Sequence, residues 1–254
     1  MSKYLFKIIL SIIILLPFAV LAVLSLGRNW AFPAVLPAVF TFDNWRVLLL
    51  AQSDLSQSLA LSLFISIVIA TAVTIASFFT SKFISFSPWR RRWLLIAYFP
   101  YMFAPVILAA CLQYYFLRLG WAGSAGGVML AQLFIAYPFG VIIFTGFWNE
   151  RLHNMEQLVA TLGGNAWQTY TRVLLPVAKG ALLICFFQTF LISWFEYGLT
   201  RLIGVGKIQT LTLKVFQYVN EANVFYAALA SILLAVPPIV LLWLNKRYVF
   251  VNFN

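Results

Sequence analysis

Six stretches of about 20 consecutive apolar residues dominate this sequence, and each is long enough for an α-helix to cross a lipid bilayer. Five of them contain no Asp, Glu, Lys or Arg, while the fifth in chain order contains Glu196 and Arg201. Charged residues make up only 9% of the chain, against about 25% in a soluble domain, so they are too few to cover a water-facing surface. We therefore predict an all-α membrane protein with six transmembrane helices, at 8–26, 59–80, 93–117, 128–148, 181–203 and 224–244.

The distribution of lysine and arginine between these stretches predicts the orientation of the chain. If the N-terminus is cytoplasmic, 11 of the 17 basic residues lie in cytoplasmic segments, including the run Arg90–Arg92. This positive-inside bias favours a cytoplasmic location for both termini. The first stretch is longer than the roughly 7–15 apolar residues of a secretory signal, and no clear cleavage motif precedes Gly27. We therefore expect it to remain as the first transmembrane helix.

The remaining composition excludes several classes of function. The formal net charge of +11 does not indicate a nucleic-acid-binding protein, because the basic residues lie between apolar stretches rather than on one soluble surface. Cys111 and Cys185 lie inside apolar stretches, form no CxxC pair and are expected to be packing residues. The only histidine, His153, lies in a loop, and the sequence contains no P-loop and no HExxH motif. We predict no catalytic, cofactor-binding or metal-binding residue in the chain.

The segment between the fourth and fifth stretches, residues 149–180, has the pattern of two short amphipathic helices. Asn154 is a favourable N-cap for the first helix, and Gln157 three residues later completes a variant capping box. Gly163 and Gly164 are expected to end this helix, because glycine adopts the left-handed backbone conformation without a side-chain penalty. One apolar face is predicted for it, formed by Met155, Leu158, Val159 and Leu162.

The second helix of this segment is predicted to begin at Asn165, with Gln168 at the position that completes its capping box. Pro176 disfavours helical geometry at Leu175 and is expected to end the helix there. The predicted apolar stripe of this helix consists of Trp167, Tyr170, Val173 and Leu174. Such a hairpin suits two roles equally well on physical grounds, because an apolar stripe can lie in the membrane interface or dock on another protein.

The same segment resembles the EAA loop of ABC importer permeases, in which Glu-Ala-Ala precedes a glycine and a Leu-Pro pair follows. Gly163 and Leu175-Pro176 have the spacing of the family, and Glu156-Gln157-Leu158-Val159 stands where the family usually has Glu-Glu-Ala-Ala. In that family the loop sits in a groove of a cytoplasmic ATPase and transmits its closure to the transmembrane helices. The resemblance implies a docking role for Glu156, Gln157, Leu158, Val159, Ala160, Leu162, Gly163, Leu175 and Pro176.

The resemblance also implies a function and a set of partners. It implies a multi-pass permease subunit of the cell (inner) membrane that forms half of a solute pathway and works by alternating access. The implied partners are two cytoplasmic ABC ATPase subunits, a second permease subunit and an extracytoplasmic solute-binding protein. A different chain is expected as the second permease, and the sequence leaves an identical one open. ATP and Mg would be bound by the ATPase, so the chain itself would hold no cofactor. Its remaining contact is the lipid bilayer, and no nucleic acid is expected.

Glu196 is the first candidate for a residue of the solute pathway, because a carboxylate inside lipid is costly and has to face protein or a water-filled cavity. The alternative is that it lies near the outer interface and pairs with Arg201 or with solvent. Trp194–Gly198 resembles the Glu-Tyr/Phe-Gly segment of permeases for polyamines, thiamine, phosphonate and oxyanions, most closely the thiamine and polyamine branch, and adds Tyr197 as a candidate. The other candidates are intramembrane amides, which either join helices or meet a polar solute: Gln113, Gln132 and Gln188. The solute itself stays open, iron complexes included.

Two other functions are left open by the sequence. An intramembrane enzyme would need a nucleophile with its base, or a set of metal ligands, at membrane depth, and the sequence offers neither. A membrane assembly or receptor protein could carry an amphipathic hairpin at the interface. It would not account for the spacing between Gly163 and Pro176.

The predicted orientation can be tested with Asp54→Cys and His153→Cys, each made in a chain that lacks Cys111 and Cys185. A membrane-impermeant thiol reagent applied to intact cells is expected to label position 54 and to leave position 153 unlabelled, because the first is predicted outside and the second inside. Permeabilised cells should show labelling at both positions. Labelling at 153 without labelling at 54 in intact cells would invert the orientation.

Overall fold

The computed structural model describes residues 2–28, 37, 39–49 and 53–248. They divide into two compact units, one of Met1–Ser62 with Gln209–Val240 and the other of Leu63–Ile208 with Leu241–Asn254. A short antiparallel pair joins β1 (Gly27–Arg28) to β2 (Val39–Phe40), with Gly27 opposite Phe40. The helices are α1 (Ser2–Ser25), α2 (Asp43–Leu49), α3 (Asp54–Phe86), α4 (Arg90–Tyr98), α5 (Pro105–Arg118), α6 (Ala125–Phe147), α7 (Glu150–Thr161), α8 (Ala166–Gln168), α9 (Leu175–Trp194), α10 (Gly198–Gly204), α11 (Leu211–Asn220) and α12 (Val224–Tyr248).

Five of the described helices are long and apolar enough to cross a membrane: α1, α3, α6, the continuous helix Ala166–Trp194 and α12. A sixth crossing is obtained when α4 and α5 count as one bent pair. The prediction of an all-α membrane protein is confirmed. The cytoplasmic location of both termini stays a prediction, and Met1 and residues 249–254 lie outside the described residues.

The predicted third span, 93–117, is not one straight helix. The segments Arg90–Met102 and Pro105–Arg118 meet at 92°. The first segment ends in a 3₁₀ turn at Phe99–Met102. Two prolines account for the break, because Pro100 lies in the 3₁₀ turn and Pro105 begins α5. Ala104, just before Pro105, has the extended backbone (φ −61°, ψ 137°) that a following proline favours.

The predicted fifth span, 181–203, is wrong at both ends. Its helix begins earlier, at Ala166, and ends at Trp194, after which Phe195–Tyr197 interrupt the helix before α10. The apolar pattern continues across this interruption, so hydropathy alone could not locate it.

The prediction that Pro176 ends the second helix of the loop is also wrong. Leu175 has helical dihedral angles (φ −62°, ψ −45°), and a π-helical segment, Thr169–Leu174, connects α8 to α9. The Leu175 N–H donates to the carbonyl of Tyr170, five residues earlier. This wider turn makes room for the proline ring, which in a regular α-helix interior would clash with the carbonyl one turn earlier.

The second unit is built around a row of small hydroxyl side chains on α3. The members of this hydroxyl seam are buried: Ser66, Thr74, Ser77 and Ser81. Trp148 Nε1 donates to Ser81 Oγ at 2.9 Å, and Thr74 Oγ1 lies 3.7 Å from Cys185 Sγ on α9. Small residues let helices approach closely where lipid removes the hydrophobic driving force between them.

Gly140 marks the closest approach of α6 to this seam. A Cβ atom added at Gly140 would lie 2.3 Å from Ser77 Oγ and 2.7 Å from Ser77 Cβ. A Cβ atom at Gly146, on the same helix, would meet nothing within 4 Å. The packing of α6 against α3 therefore requires the absence of a side chain at position 140.

In the first unit, α11 holds a buried lysine beside a carboxylate. The Lys214 side chain is only 9% exposed, and its Nζ lies 3.7 Å from Asp54 Oδ2. The Leu211 N–H donates to Ser62 Oγ at 2.7 Å and fixes the start of the helix. Burial, and then the nearby Asp54 carboxylate, raise the pKa of the Tyr218 hydroxyl.

Gly140→Ala is expected to lower the stability of the protein by about 1–3 kcal/mol, because an extra carbon is forced into a filled contact. Gly146→Ala is the matched control on the same helix, and we expect no loss, since alanine favours a helix over glycine by about 1 kcal/mol. Thermal unfolding in one fixed detergent measures both. Addition of Ser77→Gly should restore part of the loss at position 140. Equal behaviour of the two alanine variants would contradict this account of the packing.

Candidate functional site

The loop 149–180 is a helical hairpin, but its first helix begins earlier than the sequence suggested. The N-cap is Asn149, whose Oδ1 accepts from the Leu152 N–H at 3.1 Å, and α7 starts at Glu150. The prediction that Asn154 caps this helix is therefore wrong, because Asn154 lies inside it. Gln157 completes no capping box and instead contacts the His153 ring, with 3.1 Å between Nε2 atoms.

The turn between the two helices has the geometry that was predicted. Gly163 has φ +78°, in the left-handed region. Its N–H donates to the carbonyl of Ala160, and the Gly164 N–H donates to that of Val159, which together form a Schellman motif. The predicted capping box of the second helix is confirmed, because Asn165 and Gln168 exchange both bonds, at 2.8 and 3.1 Å.

The predicted apolar face of α7 splits into two sets. Met155 packs against the buried cluster that contains Phe144 and Leu174, so it faces the core of the second unit. Leu158 and Leu162 are 60% and 79% exposed. The split has a simple cause: a helix that carries apolar residues on more than one side can bury only one side against its own chain.

Trp167, at the start of the second helix, is also exposed, to 75% of its surface. It was predicted to share a stripe with Leu174, which is fully buried, so that stripe too is divided. We call the exposed set of Leu158, Leu162 and Trp167 the tip patch, since its members flank the turn at Gly163. Among the other predicted docking residues, Ala160, Leu175 and Pro176 are exposed.

Glu156 does not point to solvent with the tip patch. It forms an ion pair with Lys82 of α3, and its side chain is 16% exposed. Lys82 Nζ also donates to Tyr170 Oη at 3.2 Å, and it lies 4.7 Å from the centre of the Tyr170 ring. Sequence reasoning missed this junction, because Lys82 and Glu156 are separated by 74 positions and no local pattern connects them.

A second group of polar side chains lies inside the second unit. Gln132 is buried, its Nε2 donates to Thr200 Oγ1 at 3.0 Å, and its Oε1 accepts from Ser193 Oγ at 2.6 Å. Ser193 Oγ lies 3.3 Å from Ser66 Oγ of the hydroxyl seam. Thr200 Oγ1 donates in turn to Glu196 Oε2 at 2.7 Å. Two predicted residues, Gln132 and Glu196, therefore belong to one network, while its hydroxyl members gave no signal in the sequence.

Glu196 lies in the interruption after α9 and caps α10. Its Oε1 accepts from the Leu199 N–H at 2.6 Å, and its Oε2 accepts from the Thr200 N–H at 2.8 Å. A carboxylate at a helix N-terminus satisfies free N–H groups and complements the helix dipole. Within the described part of the chain Glu196 makes no ion pair with Arg201, whose guanidinium instead lies 5.8 Å from the Tyr197 ring centre.

The remaining predicted pathway residues are not brought to one place. Gln113 joins two helices, because its Nε2 donates to the Leu202 carbonyl at 3.1 Å. Gln188 is exposed on α9, and Tyr197 is half-buried beside Arg201. The prediction that these residues line a solute pathway stays a prediction.

Comparison with known proteins supplies relatives for most of the chain. No protein-family model matches it. The sulfate transport system permease protein CysW of Synechococcus elongatus is 26% identical over 243 residues, which cover 87% of this chain and 85% of that protein. The molybdenum transport system permease protein ModB of Mycobacterium bovis is 29% identical over 164 residues, 58% of this chain and 62% of that protein.

Some matches are partial. Sulfate permease 2 of the Chlamydomonas reinhardtii chloroplast is 27% identical over 163 residues, and this chain spans only 44% of its length. The expectation of a polyamine or thiamine branch finds no support in these relatives, which are named for sulfate and molybdenum transport.

A solved structure extends the likeness to the fold. It is a bacterial ABC transporter involved in the import of the acidic polysaccharide alginate, and its matching chain has a TM-score of 0.66 at 15% identity. The match covers 100% of this chain and 95% of that one. The chain is therefore similar in sequence to permease subunits of ABC importers, and the solved structure shows that its fold is that of an ABC transporter chain.

Proposed function

We propose that this chain forms half of a solute pathway and that its loop 149–180 docks on a separate cytoplasmic ATPase, which binds and hydrolyses ATP. The tip patch is the observation that carries this proposal. Its three large apolar side chains are exposed around one polar turn, and burial against a partner would stabilise each by about 1.5–3 kcal/mol. A contiguous apolar surface rimmed by polar residues is typical of an interaction site.

The partners follow from the same proposal. Two ATPase subunits, a second permease subunit and an extracytoplasmic solute-binding protein would complete the transporter, by analogy with the ABC importers that the chain resembles. The loop also fits an interfacial hairpin. Trp167 lies at the start of a helix that is long enough to cross the membrane, and the end of such a helix lies at the membrane interface. The experiment below separates these two roles.

An inorganic oxyanion is the solute class we propose, on the strength of the relatives named for sulfate and molybdenum transport. Competition of unlabelled sulfate, molybdate, thiamine and a polyamine against uptake of labelled sulfate tests this assignment.

Glu196 is proposed to serve the pathway by holding α10 in place rather than by touching the solute. Its two oxygens accept three hydrogen bonds from Leu199 and Thr200, so its charge is already compensated within the chain. We further propose that four residues either line the solute pathway or join the helices around it: Tyr197, Gln113, Gln132 and Gln188.

The docking role predicts the behaviour of a double variant, Leu162→Ser with Trp167→Ser. We expect normal insertion into the membrane and loss of most co-purified ATPase, because the apolar contact area of the tip patch is removed. Trp89→Ser is the control, since Trp89 is an exposed tryptophan outside the loop. Unchanged ATPase retention, together with weaker binding of the isolated loop peptide to lipid vesicles, would return the loop to the role of an interfacial hairpin.

Glu196→Gln is expected to lower stability by about 1 kcal/mol, the usual size of a lost helix cap, since the amide keeps only one acceptor oxygen. The maximal uptake rate should fall while the KM for the solute stays unchanged. Glu221→Gln is the matched control, because Glu221 is an exposed acidic residue at the end of α11 and should behave as wild type. A raised KM at unchanged stability would show instead that Glu196 contacts the solute.

A further inference from the structure

We infer that Lys82 is a positioning residue that fixes the docking loop to α3, and that this clamp carries movement of the loop into the transmembrane helices. The inference rests on the proposed function and adds to it the residues through which the loop acts. The clamp consists of Lys82, Glu156 and Tyr170.

Lys82 holds both arms of the loop hairpin at once. Its ammonium group forms an ion pair with Glu156 of α7, the first arm, and donates to the hydroxyl of Tyr170 in the π-helical segment, the second arm. The Nζ atom lies 4.7 Å from the Tyr170 ring centre and 5.7 Å from that of Trp148. One side chain of α3 therefore contacts the segments on both sides of the turn at Gly163.

The surroundings make this contact stronger than an ordinary surface ion pair. The Lys82 and Glu156 side chains are 22% and 16% exposed, and aromatic rings flank the ammonium group. Partial removal of water strengthens both the charge pair and the cation–π contacts. His153 is the other titratable group that faces Glu156, with 4.0 Å between Nδ1 and Oε2.

The next residue on α3 anchors the clamp to the helical bundle. Ser81 Oγ accepts from Trp148 Nε1 at 2.9 Å, and Trp148 directly follows α6. The hydroxyl seam continues from Ser81 along the buried side of α3. A displacement of the loop is therefore passed to α3 through Lys82, while α3 is held against α6 through Ser81.

Without Lys82, the loop would keep its covalent connections and the packing of Met155 and Leu174 against the core, but it would lose its ion pair with α3. The loop could then move with a docked ATPase while α3 stays in place. This predicts a specific defect, in which ATP hydrolysis continues but no longer drives uptake.

The clamp is tested first in the purified permease chain alone, with an arginine-specific protease. Arg151 and Arg172 lie in the loop and are exposed, so cleavage at these two sites reports release of the loop. Lys82→Met and Glu156→Gln should each speed this cleavage. The exchange Lys82→Glu with Glu156→Lys should slow it again, because the opposite charges are restored. Lys207→Met is the control, since Lys207 is an exposed lysine outside the loop and should not change the cleavage rate.

The second measurement uses the assembled transporter with its ATPase and solute-binding protein. Lys82→Met should keep the ATPase bound and lower the ratio of solute uptake to ATP hydrolysis by about tenfold, within the range that couplings between sites span. The charge exchange should recover much of this ratio. A role limited to folding would lower both rates together and leave the ratio unchanged.

The outcomes separate the clamp from the proposed function. Cleavage rates that do not respond to Lys82→Met, or an uptake ratio that stays at the wild-type value, would overturn the clamp and leave the docking proposal intact. A wild-type chain that retains no ATPase would overturn the docking proposal, and the coupling role of Lys82 would fall with it. Recovery of both the protection and the ratio in the charge exchange is the result we expect.

Discussion

Close packing along α3 is the constraint on which the second unit depends. Inside a bilayer the contact between helices gains little from the removal of apolar surface from water, so it has to come from packing and from hydrogen bonds that satisfy every buried polar group. The hydroxyl seam provides both, because its side chains are small enough for α6 and α9 to approach and still carry donors and acceptors. Gly140 opposite Ser77 is the point where this requirement is strictest, since no carbon atom fits between the helices.

The polar network and the loop contact the two ends of the hydroxyl seam on α3. On one side, Ser66 leads into the network of Ser193, Gln132 and Thr200 that ends at the Glu196 cap. On the other side, Ser81 and Lys82 meet Trp148 and the docking loop. A single helix thus connects the polar interior to the loop, and both connections are made by side chains rather than by flexible backbone.

The sequence was sufficient to predict the class of fold and the position of most helices, because length and hydropathy decide these features. It could not locate the interruption at Glu196, since the residues around it are as apolar as a continuous helix would be, and only the contacts of the carboxylate with Leu199 and Thr200 reveal a new helix start.

The turn at Gly163 was predictable, because glycine has a local backbone reason to be there. The capping of α7 was not, because Asn149 and Asn154 are both acceptable caps, and the longer helix adds a turn whose Leu152 is buried in the core. The role of Lys82 could not be predicted from a local pattern, because its partner Glu156 lies 74 positions away and only the fold brings the two together.

The π-helical segment Thr169–Leu174 has a geometric consequence for the loop. Each residue of an α-helix turns the chain by about 100°, whereas a π-turn places more residues in each turn and so rotates the chain less per residue. The direction in which Trp167 points, relative to α9, is therefore determined by the number of residues in this segment. A deletion or insertion of one residue there would rotate the exposed tip around the helix axis, and it would also displace Leu174, which is fully buried in the core. The length of this segment therefore sets the rotation of the loop about the axis of α9. A change of one residue would turn the same exposed surface toward a different partner.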